Sequence, residues 1–423
     1  MQPLCLALIL ALASSLAAAD VSYLASRVGD TLQVYDPRPE LGIGMHQMSD
    51  EQIQMVRDLG IRFVRHTMYW AQIEPTTTPR EYDAARLAYW DDLVARCDRA
   101  GIILVVVVHQ NAPGCSFANR EESYRRFAGF MADMAARYPT VRYWELWNEM
   151  DGAFTDLFGA QANVPMRDRG RMYAEMLKLA YPAIKQANPR ALVLTGGMTD
   201  TDDFPRGIYE AGGREFFDIM AIHTYGVPIS WAFVDRGMRV REIMRENGDA
   251  QKPLWNTEFG IDAGNLVGAW GYPHDRDQED GPALDRMMTE QWAACLDAAQ
   301  KHCLYQKLLP YQFAAGNERN DDGKIAETLR LPEGHTVDDY GFGIVRRDGK
   351  TPRPIYGYLK ERDFNRDIRE TPMSTREVEF WSWDRKMPEG HTPNRWRPQY
   401  LRLEDFPVDS AYPGLVDLLP PGE

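Results

Sequence analysis

The sequence predicts an α/β fold, a closed (β/α)8 TIM barrel with a short C-terminal extension. First, eight short apolar, β-branched runs alternate with amphipathic helical stretches from about residue 41 onward. Second, the run Ile102–Val108 is apolar on both faces, which is typical of a strand with helices on one side and a core on the other. Third, eight such repeats within about 330 residues fit a closed barrel better than an open sheet.

The elements follow in chain order. The predicted strands are Leu41–Met45, Ile61–Met68, Ile102–Val108, Val141–Trp147, Ala191–Gly196, Phe217–His223, Pro253–Phe259 and Leu304–Phe313. The predicted helices are Asp50–Leu59, Asp83–Arg99, Glu121–Tyr138, Arg171–Gln186, Trp231–Glu246 and Ala283–His302. The first helix carries a capping box, Ser49 with Gln52, and stops at Gly60. Gly42-Ile43-Gly44 lacks the rest of a phosphate-binding fingerprint, which excludes a dinucleotide-binding sheet.

The N-terminus reads as an export signal. Its apolar run, Leu4–Leu16, is shorter than the ~20 residues that a membrane-spanning helix needs. Small residues follow at 17–19, so residues 1–19 are predicted to be a signal peptide cleaved before Asp20. The alternative is an uncleaved anchor. No later segment has the length and hydropathy of a membrane span, so a periplasmic or secreted protein is expected.

The barrel is assigned to residues 20–369 and the extension to residues 370–423. The extension is rich in Pro and charge and contains Trp381, Trp383 and Trp396, more aromatics than a disordered tail carries. It is therefore expected to pack on the barrel and to contribute a strand at Val378–Trp383. Packing and sugar binding are both open roles for its tryptophans.

Composition restricts the ligand. The formal net charge is -14, and Lys and Arg form no basic stripe, which argues against nucleic acid. It also disfavours a strongly anionic polymer, unless the cleft is locally basic. Beyond the signal, Cys97, Cys115, Cys295 and Cys303 can form disulfides or remain free thiols. Because no CxxC or Cys/His cluster occurs, neither a metal nor another cofactor is expected.

Polar residues cluster where the apolar runs end, as the C-terminal face of a barrel requires for chemistry. They are His46-Gln47, His66, His109-Gln110-Asn111, Asn148-Glu149, His223-Thr224-Tyr225, Asn256-Thr257-Glu258 and Gln312. Two of them are carboxylates on strands that face each other, Glu149 on the fourth and Glu258 on the seventh. Cleaving a glycosidic bond with retention needs two carboxyl groups, one protonated to donate and one ionised to attack.

The motifs Trp147-Asn148-Glu149 and Thr257-Glu258-Phe259-Gly260 resemble those of the clan of retaining glycoside hydrolases with two catalytic glutamates on a barrel. Within the clan the chain is most similar to glycoside hydrolase family 39 and its exopolysaccharide-cleaving relatives. The resemblance covers roughly residues 40–365. Supporting segments are Phe63-Val64-Arg65 through Trp70 to Ile73-Glu74-Pro75, Tyr340-Gly341-Phe342, and Pro352-Arg353-Pro354-Ile355-Tyr356.

This resemblance implies a role for each matching residue. Glu149 matches the general acid/base and Glu258 the nucleophile. Asn148 matches the residue that binds the sugar 2-hydroxyl. Arg65 matches the arginine that keeps the nucleophile ionised, and Tyr225 matches the tyrosine near it. His109 and His223 match two substrate-positioning histidines. The eighth strand departs from the pattern, because it ends in Tyr311-Gln312-Phe313 where many members have Trp, which leaves the sugar specificity open.

Other residues have two interpretations. Trp70, Trp147, Trp255 and Trp270 suit stacking on sugar faces, yet any single tryptophan of this kind is more often a core residue. Glu145 lies within its strand and is expected to pair with an internal Arg or Lys. His46 and His66 are assigned to the core or rim. The long polar segment Ile261–Asp280 is expected to shape the cleft.

The sequence thus predicts a retaining glycoside hydrolase acting on an oligo- or polysaccharide. A β-xyloside, a β-glucan and a bacterial exopolysaccharide are all allowed. A transglycosylase of the same fold and a non-catalytic polysaccharide-binding barrel are the alternatives. Oligomeric state and endo or exo action stay open.

Overall fold

The structure is a computed structural model and describes residues 24–28, 31–35, 39–152, 157–160, 162–225, 229–249, 252–260, 281–302, 304–314, 341–366, 378–381 and 398–401. All eight predicted strands are present. Counted in chain order, the first is split into Glu40–Leu41 and Ile43–Met45. The other seven are Phe63–Tyr69, Ile103–His109, Tyr143–Asn148, Leu192–Gly197, Met220–His223, Leu254–Glu258 and Lys307–Leu308.

The strands are parallel and follow barrel order in two sheets. One sheet holds the second half of strand one and strands two to five; the other holds strands six to eight and the first half of strand one. Strand one thus belongs to both sheets. Between strands five and six the pairing is reduced to the bridges Leu194–Ile219 and Met198–Ile222. The ladder is interrupted at these two places and does not run continuously around the ring.

Gly42 divides the first strand where strand eight approaches it. A Cβ there would lie 2.2 Å from Leu309 Cδ2 and 2.6 Å from the Phe63 carbonyl oxygen, so only glycine fits. The Gly42 N–H donates to the Leu308 carbonyl at 2.7 Å. Strand eight is shorter than the predicted Leu304–Phe313, although the Tyr311 N–H beyond it still donates to the Phe259 carbonyl at 2.8 Å.

The six predicted helices are all found. In chain order the helices of the described residues are α1 Asp50–Asp58, α2 Trp70–Ile73, α3 Ala84–Ala100, α4 Arg120–Arg137, α5 Met166–Ala187, α6 Asp203–Glu210, α7 Ile229–Glu246, α8 Gly281–His302 and α9 Pro354–Arg362. Helix α5 begins at Met166 rather than at the predicted Arg171. The capping box of α1 is confirmed, because Ser49 Oγ accepts from the Gln52 N–H at 3.2 Å and Gln52 Oε1 accepts from the Ser49 N–H at 3.0 Å.

Side chains fill the ring, so the barrel holds a core and not a channel. The interior cluster consists of Phe63, Val105, Leu192, Leu194, Ile219, Ala221, Trp255 and Leu309. A larger apolar cluster lies between the strands and the helices that cover them. This arrangement explains why strands such as Ile103–His109 are apolar on both faces.

Three cysteines are free thiols in this structure, namely Cys97, Cys115 and Cys295. Burial raises the pKa of Cys97 to about 12, which keeps it protonated and unreactive at neutral pH. Cys303 lies outside the described residues. The free-thiol interpretation therefore holds for these three.

Part of the predicted C-terminal strand is found at Val378–Trp381, which pairs antiparallel with Pro398–Leu401. An antiparallel pair, Leu24–Val28 with Thr31–Tyr35, precedes the barrel. Over the described ranges, each helix is too short or too polar to cross a membrane. The predicted signal peptide, residues 1–19, lies outside these ranges.

Candidate active site

The two glutamates meet at the C-terminal mouth of the barrel. Glu258 is the last residue of strand seven, and Glu149 directly follows strand four. One oxygen of each carboxylate and one nitrogen of His223 all lie within 4.8 Å of one another. The predicted convergence of opposite strands is therefore present.

Glu258 is held as an anion by two donors. Arg65 Nη1 donates to its Oε1, and the Tyr225 hydroxyl donates to its Oε2 at 2.7 Å. Burial alone would raise the pKa of Glu258. The charges of His223 and Arg65 and the hydrogen bond from Tyr225 outweigh burial and hold this pKa well below its usual range. Glu258 is thus the more acidic carboxyl that an ionised nucleophile requires.

Arg65 is the centre of a buried polar network. Its Nε donates to Glu145 Oε2 at 2.7 Å, and its Nη2 donates to Glu145 Oε1 at 3.1 Å and to Asn148 Oδ1 at 2.6 Å. Glu145 Oε1 also accepts from the Gly197 N–H at 2.9 Å and from Thr257 Oγ1 at 3.1 Å. Glu145 is fully buried, so it pairs with an internal arginine as predicted.

His223 links the two glutamates. Its Nδ1 lies 2.9 Å from Glu149 Oε1 and 3.7 Å from Glu258 Oε2. Burial alone would lower the pKa of His223, but the charges of Glu258 and Glu149 and the bond to Glu149 raise it overall. The ring fits against bare backbone, because a Cβ at Gly197 would lie 1.9 Å from Nε2. His223 is therefore a buried neighbour of both carboxylates, held in place by the backbone of strand five.

The backbone around Glu149 is strained. Trp147 has φ 81° and Glu149 φ 45°, left-handed conformations that are costly for residues other than glycine. Strand five makes room for this turn, because a Cβ at Gly196 would lie 2.7 Å from the Trp147 carbonyl oxygen. These two reversals carry the Glu149 side chain from the strand edge to the mouth.

Asp151 anchors the turn and was not singled out from the sequence. Its Oδ2 accepts from the Thr199 N–H at 2.7 Å, from Thr199 Oγ1 at 2.9 Å and from the Asp200 N–H. It thereby ties the loop after strand four to the loop after strand five. The only sequence feature that could have pointed to Asp151 is its position, an acidic residue two places after Glu149.

Two other residues predicted to bind substrate, Asn148 and His109, also lie at the mouth of the barrel. Asn148 Oδ1 accepts from Arg65 Nη2 at 2.6 Å, which places Asn148 beside the guanidinium that binds Glu258. His109 ends strand three, and its ring packs against Tyr69 with centroids 5.3 Å apart. Strand three pairs with strand four, so His109 ends beside the strand that leads to Glu149.

The tryptophans require a correction. Trp70 is fully buried, packs against Phe127 and Phe130, and donates from Nε1 to Glu74 Oε2 at 2.5 Å. Trp255 is buried in the barrel interior beside Phe63. Neither offers a ring face to a sugar, so stacking is wrong for both. Trp270 and the segment 261–280 lie outside the described residues.

An aromatic wall borders Glu258 on the side of strand eight. Phe342 contacts Tyr225 and Tyr311, with ring centroids 5.8 Å and 5.4 Å apart. The Tyr311 hydroxyl bonds to His46 Nε2 at 3.0 Å. The wall replaces the tryptophan that the sequence lacks at strand eight. Its components come from three distant segments, which explains why no local motif revealed it.

A family model covers most of the barrel. Residues 37–306 match the model of the cellulase family, glycosyl hydrolase family 5. Among curated proteins no match is found.

Solved structures share the fold at low sequence identity. A family 39 glycoside hydrolase from Bacteroides cellulosilyticus WH2 is 19% identical with a TM-score of 0.56, over 79% of this chain and 67% of that one. The exo-β-1,4-mannosidase Op5Man5 from Opitutaceae bacterium strain TAV5 is 17% identical with a TM-score of 0.53, over 80% and 60%. A family 5 protein from Streptomyces cattleya, solved with GlcNAc, is 16% identical with a TM-score of 0.52, over 79% and 82%. The barrel prediction and the resemblance to the retaining clan are confirmed, with family 5 as the matching model.

Proposed function

Because the chain belongs to the cellulase family (glycosyl hydrolase family 5) and is a glycoside hydrolase, we propose that it cleaves β-glycosidic bonds of an oligo- or polysaccharide with retention of configuration. The observation that carries this proposal is the approach of the two carboxylates, with one oxygen of each within 4.8 Å of the other. Retaining enzymes separate their carboxyl groups by ~5–5.5 Å, whereas inverting ones need ~6.5–9.5 Å to admit a water.

In the first step Glu258 attacks the anomeric carbon while the bond from that carbon to the leaving oxygen breaks. Glu149 gives its proton to that oxygen, so the leaving sugar departs neutral. Arg65 and Tyr225 support the attack, because they fix the Glu258 carboxylate and keep it ionised. A covalent glycosyl-enzyme results.

In the second step a water molecule takes the place of the leaving sugar. Glu149, now a carboxylate, accepts a proton from this water as its oxygen attacks the anomeric carbon, and the bond to Glu258 breaks. His223 holds Glu149 Oε1 at 2.9 Å, which leaves Oε2 to exchange the proton in both steps. The two inversions restore the original configuration.

The assignment of the two roles rests on environment. Glu258 has an arginine and a tyrosine hydroxyl on its oxygens and therefore suits the ionised nucleophile. Glu145, the other carboxylate on Arg65, is fully buried with its oxygens occupied, so it suits a structural counter-ion.

The decisive experiment is active-site labelling together with stereochemistry. A 2-fluoro β-glycoside of an accepted sugar should label Glu258 alone, and Glu258→Gln should lose activity by several orders of magnitude while it stays folded. Glu121→Gln, on the exposed side of α4, is the matched control. NMR of early products should show the anomer with the configuration of the substrate. Labelling of Glu145 or Glu149, or a first product of opposite configuration, would overturn the proposal.

Two rivals share this site. A transglycosylase would form the same intermediate but pass the sugar to an acceptor, so product analysis with and without added acceptor separates transfer from hydrolysis. A non-catalytic binding barrel would bind oligosaccharides without releasing products. Hydrolysis that depends on Glu258 excludes the latter.

Glu149, His223 and Glu258 also have ligand atoms close enough to hold a metal ion. Such an ion would lie beside the Arg65 guanidinium, which already donates to Glu258, and would displace the bond from His223 to Glu149. This donor set fits hydrogen bonding better than metal binding. We therefore expect activity to survive dialysis against EDTA, and a loss that Zn²⁺ or Ca²⁺ restores would contradict this interpretation.

Export of the mature chain, without residues 1–19, is part of the proposal and is supported by the sequence alone. Cell fractionation and N-terminal sequencing test it. A chain that keeps its N-terminus or stays in the cytoplasm would contradict it.

A further inference from the structure

A second depression lies at the mouth of the barrel, above the ends of strands one and two. Its volume is about 340 Å³, and it is bordered by His46 after strand one, by Thr67 and Tyr69 of strand two, and by the first turns of α3. None of the residues that touch the two glutamates lines it. It is therefore a separate cavity on the same catalytic face.

Its lining combines rings with hydrogen-bonding groups, as carbohydrate sites do. The Tyr89 side chain is 40% exposed, although large rings are usually buried. Trp90 packs edge-on against it from below, with centroids 6.1 Å apart, and the Tyr89 hydroxyl lies 3.4 Å from His66 Nε2. Tyr89 thus presents a supported ring at the cavity rim, on which the apolar face of a sugar can stack.

The charge of the cavity is opposite to that of the protein. The chain has a formal net charge of -14, yet no Asp or Glu lines the cavity. Arg86 does line it, and over the described ranges its guanidinium pairs with no carboxylate. The nearby Asp83 caps α3 and accepts from the Arg86 backbone N–H at 2.8 Å. An unpaired guanidinium in a cavity without acids is suited to bind an anion, and a planar carboxylate matches its fork.

The cavity is connected to the active site through packed side chains. His46, on its wall, bonds to Tyr311, and Tyr311 packs on Phe342, which packs on Tyr225 beside Glu258. Tyr69 belongs to the same strand as Arg65. The cavity and the catalytic centre thus lie on one continuous set of packed side chains at the same end of the barrel.

We propose that this cavity is a subsite for a sugar unit of the substrate that carries a carboxylate, a hexuronate. Tyr89 stacks on the sugar ring and Arg86 pairs with its carboxylate. The inference rests on the proposed function and adds the substrate class, an acidic polysaccharide. An acidic protein can hold such a polymer because this part of its cleft is locally basic.

The test compares matched pairs of oligosaccharides that differ only at C6 of one sugar. The pairs contain glucuronate or glucose, galacturonate or galactose, and mannuronate or mannose. Binding is measured by calorimetry on the chain carrying Glu258→Gln, so that no probe is consumed. At least one acidic member should bind about tenfold more tightly than its neutral partner. Added 0.5 M NaCl should reduce this preference, because Arg86 is exposed to solvent.

Variants locate the preference. Arg86→Met should remove most of the tenfold preference for the acidic member. Arg99→Met removes an exposed arginine from the far end of the same helix and should leave the preference as it is. Tyr89→Ala should weaken the binding of the acidic and neutral members alike. Tyr89→Phe keeps the ring and should bind both as tightly as the chain with Tyr89 does. Circular dichroism verifies that each variant is folded.

Two failures are distinguishable. If no acidic member binds more tightly than its neutral partner, or if Arg86→Met leaves the preference intact, the subsite is refuted while hydrolysis by Glu149 and Glu258 stands. If the unmodified chain cleaves no glycoside at all, the proposed function fails instead. Preference for an acidic member that is lost with Arg86→Met, together with cleavage by the unmodified chain, supports the inference.

Discussion

At the scale of single residues, the site controls the charge of Glu258 through the two donors on its oxygens. Tyr225→Phe removes one of them while it keeps the ring. The pKa of Glu258 should then rise, and the acidic limb of the kcat/KM profile should move to higher pH by about one unit, the size of one charge-assisted hydrogen bond. Tyr181→Phe removes a remote hydrogen bond to Asp218 and is the matched control. An acidic limb that stays in place would mean that Tyr225 only orients the carboxylate.

In the proposed mechanism Glu149 acts in both steps, as acid and then as base, and an added reagent can replace it in each step. An aryl glycoside with a good leaving group needs no proton in the first step, and azide needs no base in the second. Glu149→Ala should therefore lose about 10²–10⁴-fold on ordinary substrates. Azide should restore turnover of the activated glycoside and give the β-glycosyl azide, identified by NMR. An α-azide, or rescue of Glu258→Ala in its place, would reverse the two assignments.

At the scale of elements, Arg65 joins three strands, because it lies on strand two and pairs with Glu145 on strand four and Glu258 on strand seven. Arg65→Met leaves two buried carboxylates without their counter-ion, so the free energy of unfolding should fall by about 3–5 kcal/mol. Arg62→Met breaks an exposed pair with Glu40 and should cost less than about 1 kcal/mol.

This stability loss complicates the use of Arg65 as a probe of catalysis, and a second variant separates the two effects. Replacing Glu145 by Met together with Arg65→Met removes one of the stranded charges and should recover part of the lost stability, as measured by urea unfolding. A double variant no more stable than Arg65→Met would show that Glu145 does not depend on Arg65.

At the scale of the whole molecule, the buried His66 is expected to make the free energy of unfolding depend on pH. Burial lowers the pKa of His66 to about 4, whereas the unfolded side chain titrates near 6.5. Between these values only the unfolded chain binds the proton. The contribution of neutral His66 to the free energy of unfolding is therefore fully present above pH 6.5 and is lost as the pH falls toward 4. The loss from His66 should reach about 3 kcal/mol at most. His66→Gln should flatten this slope in urea titrations at pH 7, 5.5 and 4, and an unchanged slope would assign it to other groups.

The sequence by itself determined the fold and the reacting pair. The eight strands and six helices were predictable because apolar periodicity is local, and Glu149 and Glu258 were predictable because strand ends meet at one face of a barrel. Glu145 was recognised as internal for the same reason, since its position within a strand decides which way it points.

Only the tertiary structure decided which neighbours surround those residues. Trp70 and Trp255 suited stacking in the sequence, but burial depends on helices and strands far along the chain. The bond from His223 to Glu149, the Asp151 anchor, the Phe342 wall and the Arg86 cavity each join segments that lie far apart in sequence or on different elements. Periodicity reports which face of an element is apolar, whereas distances between elements are set by the packing of the whole barrel, which no single segment encodes.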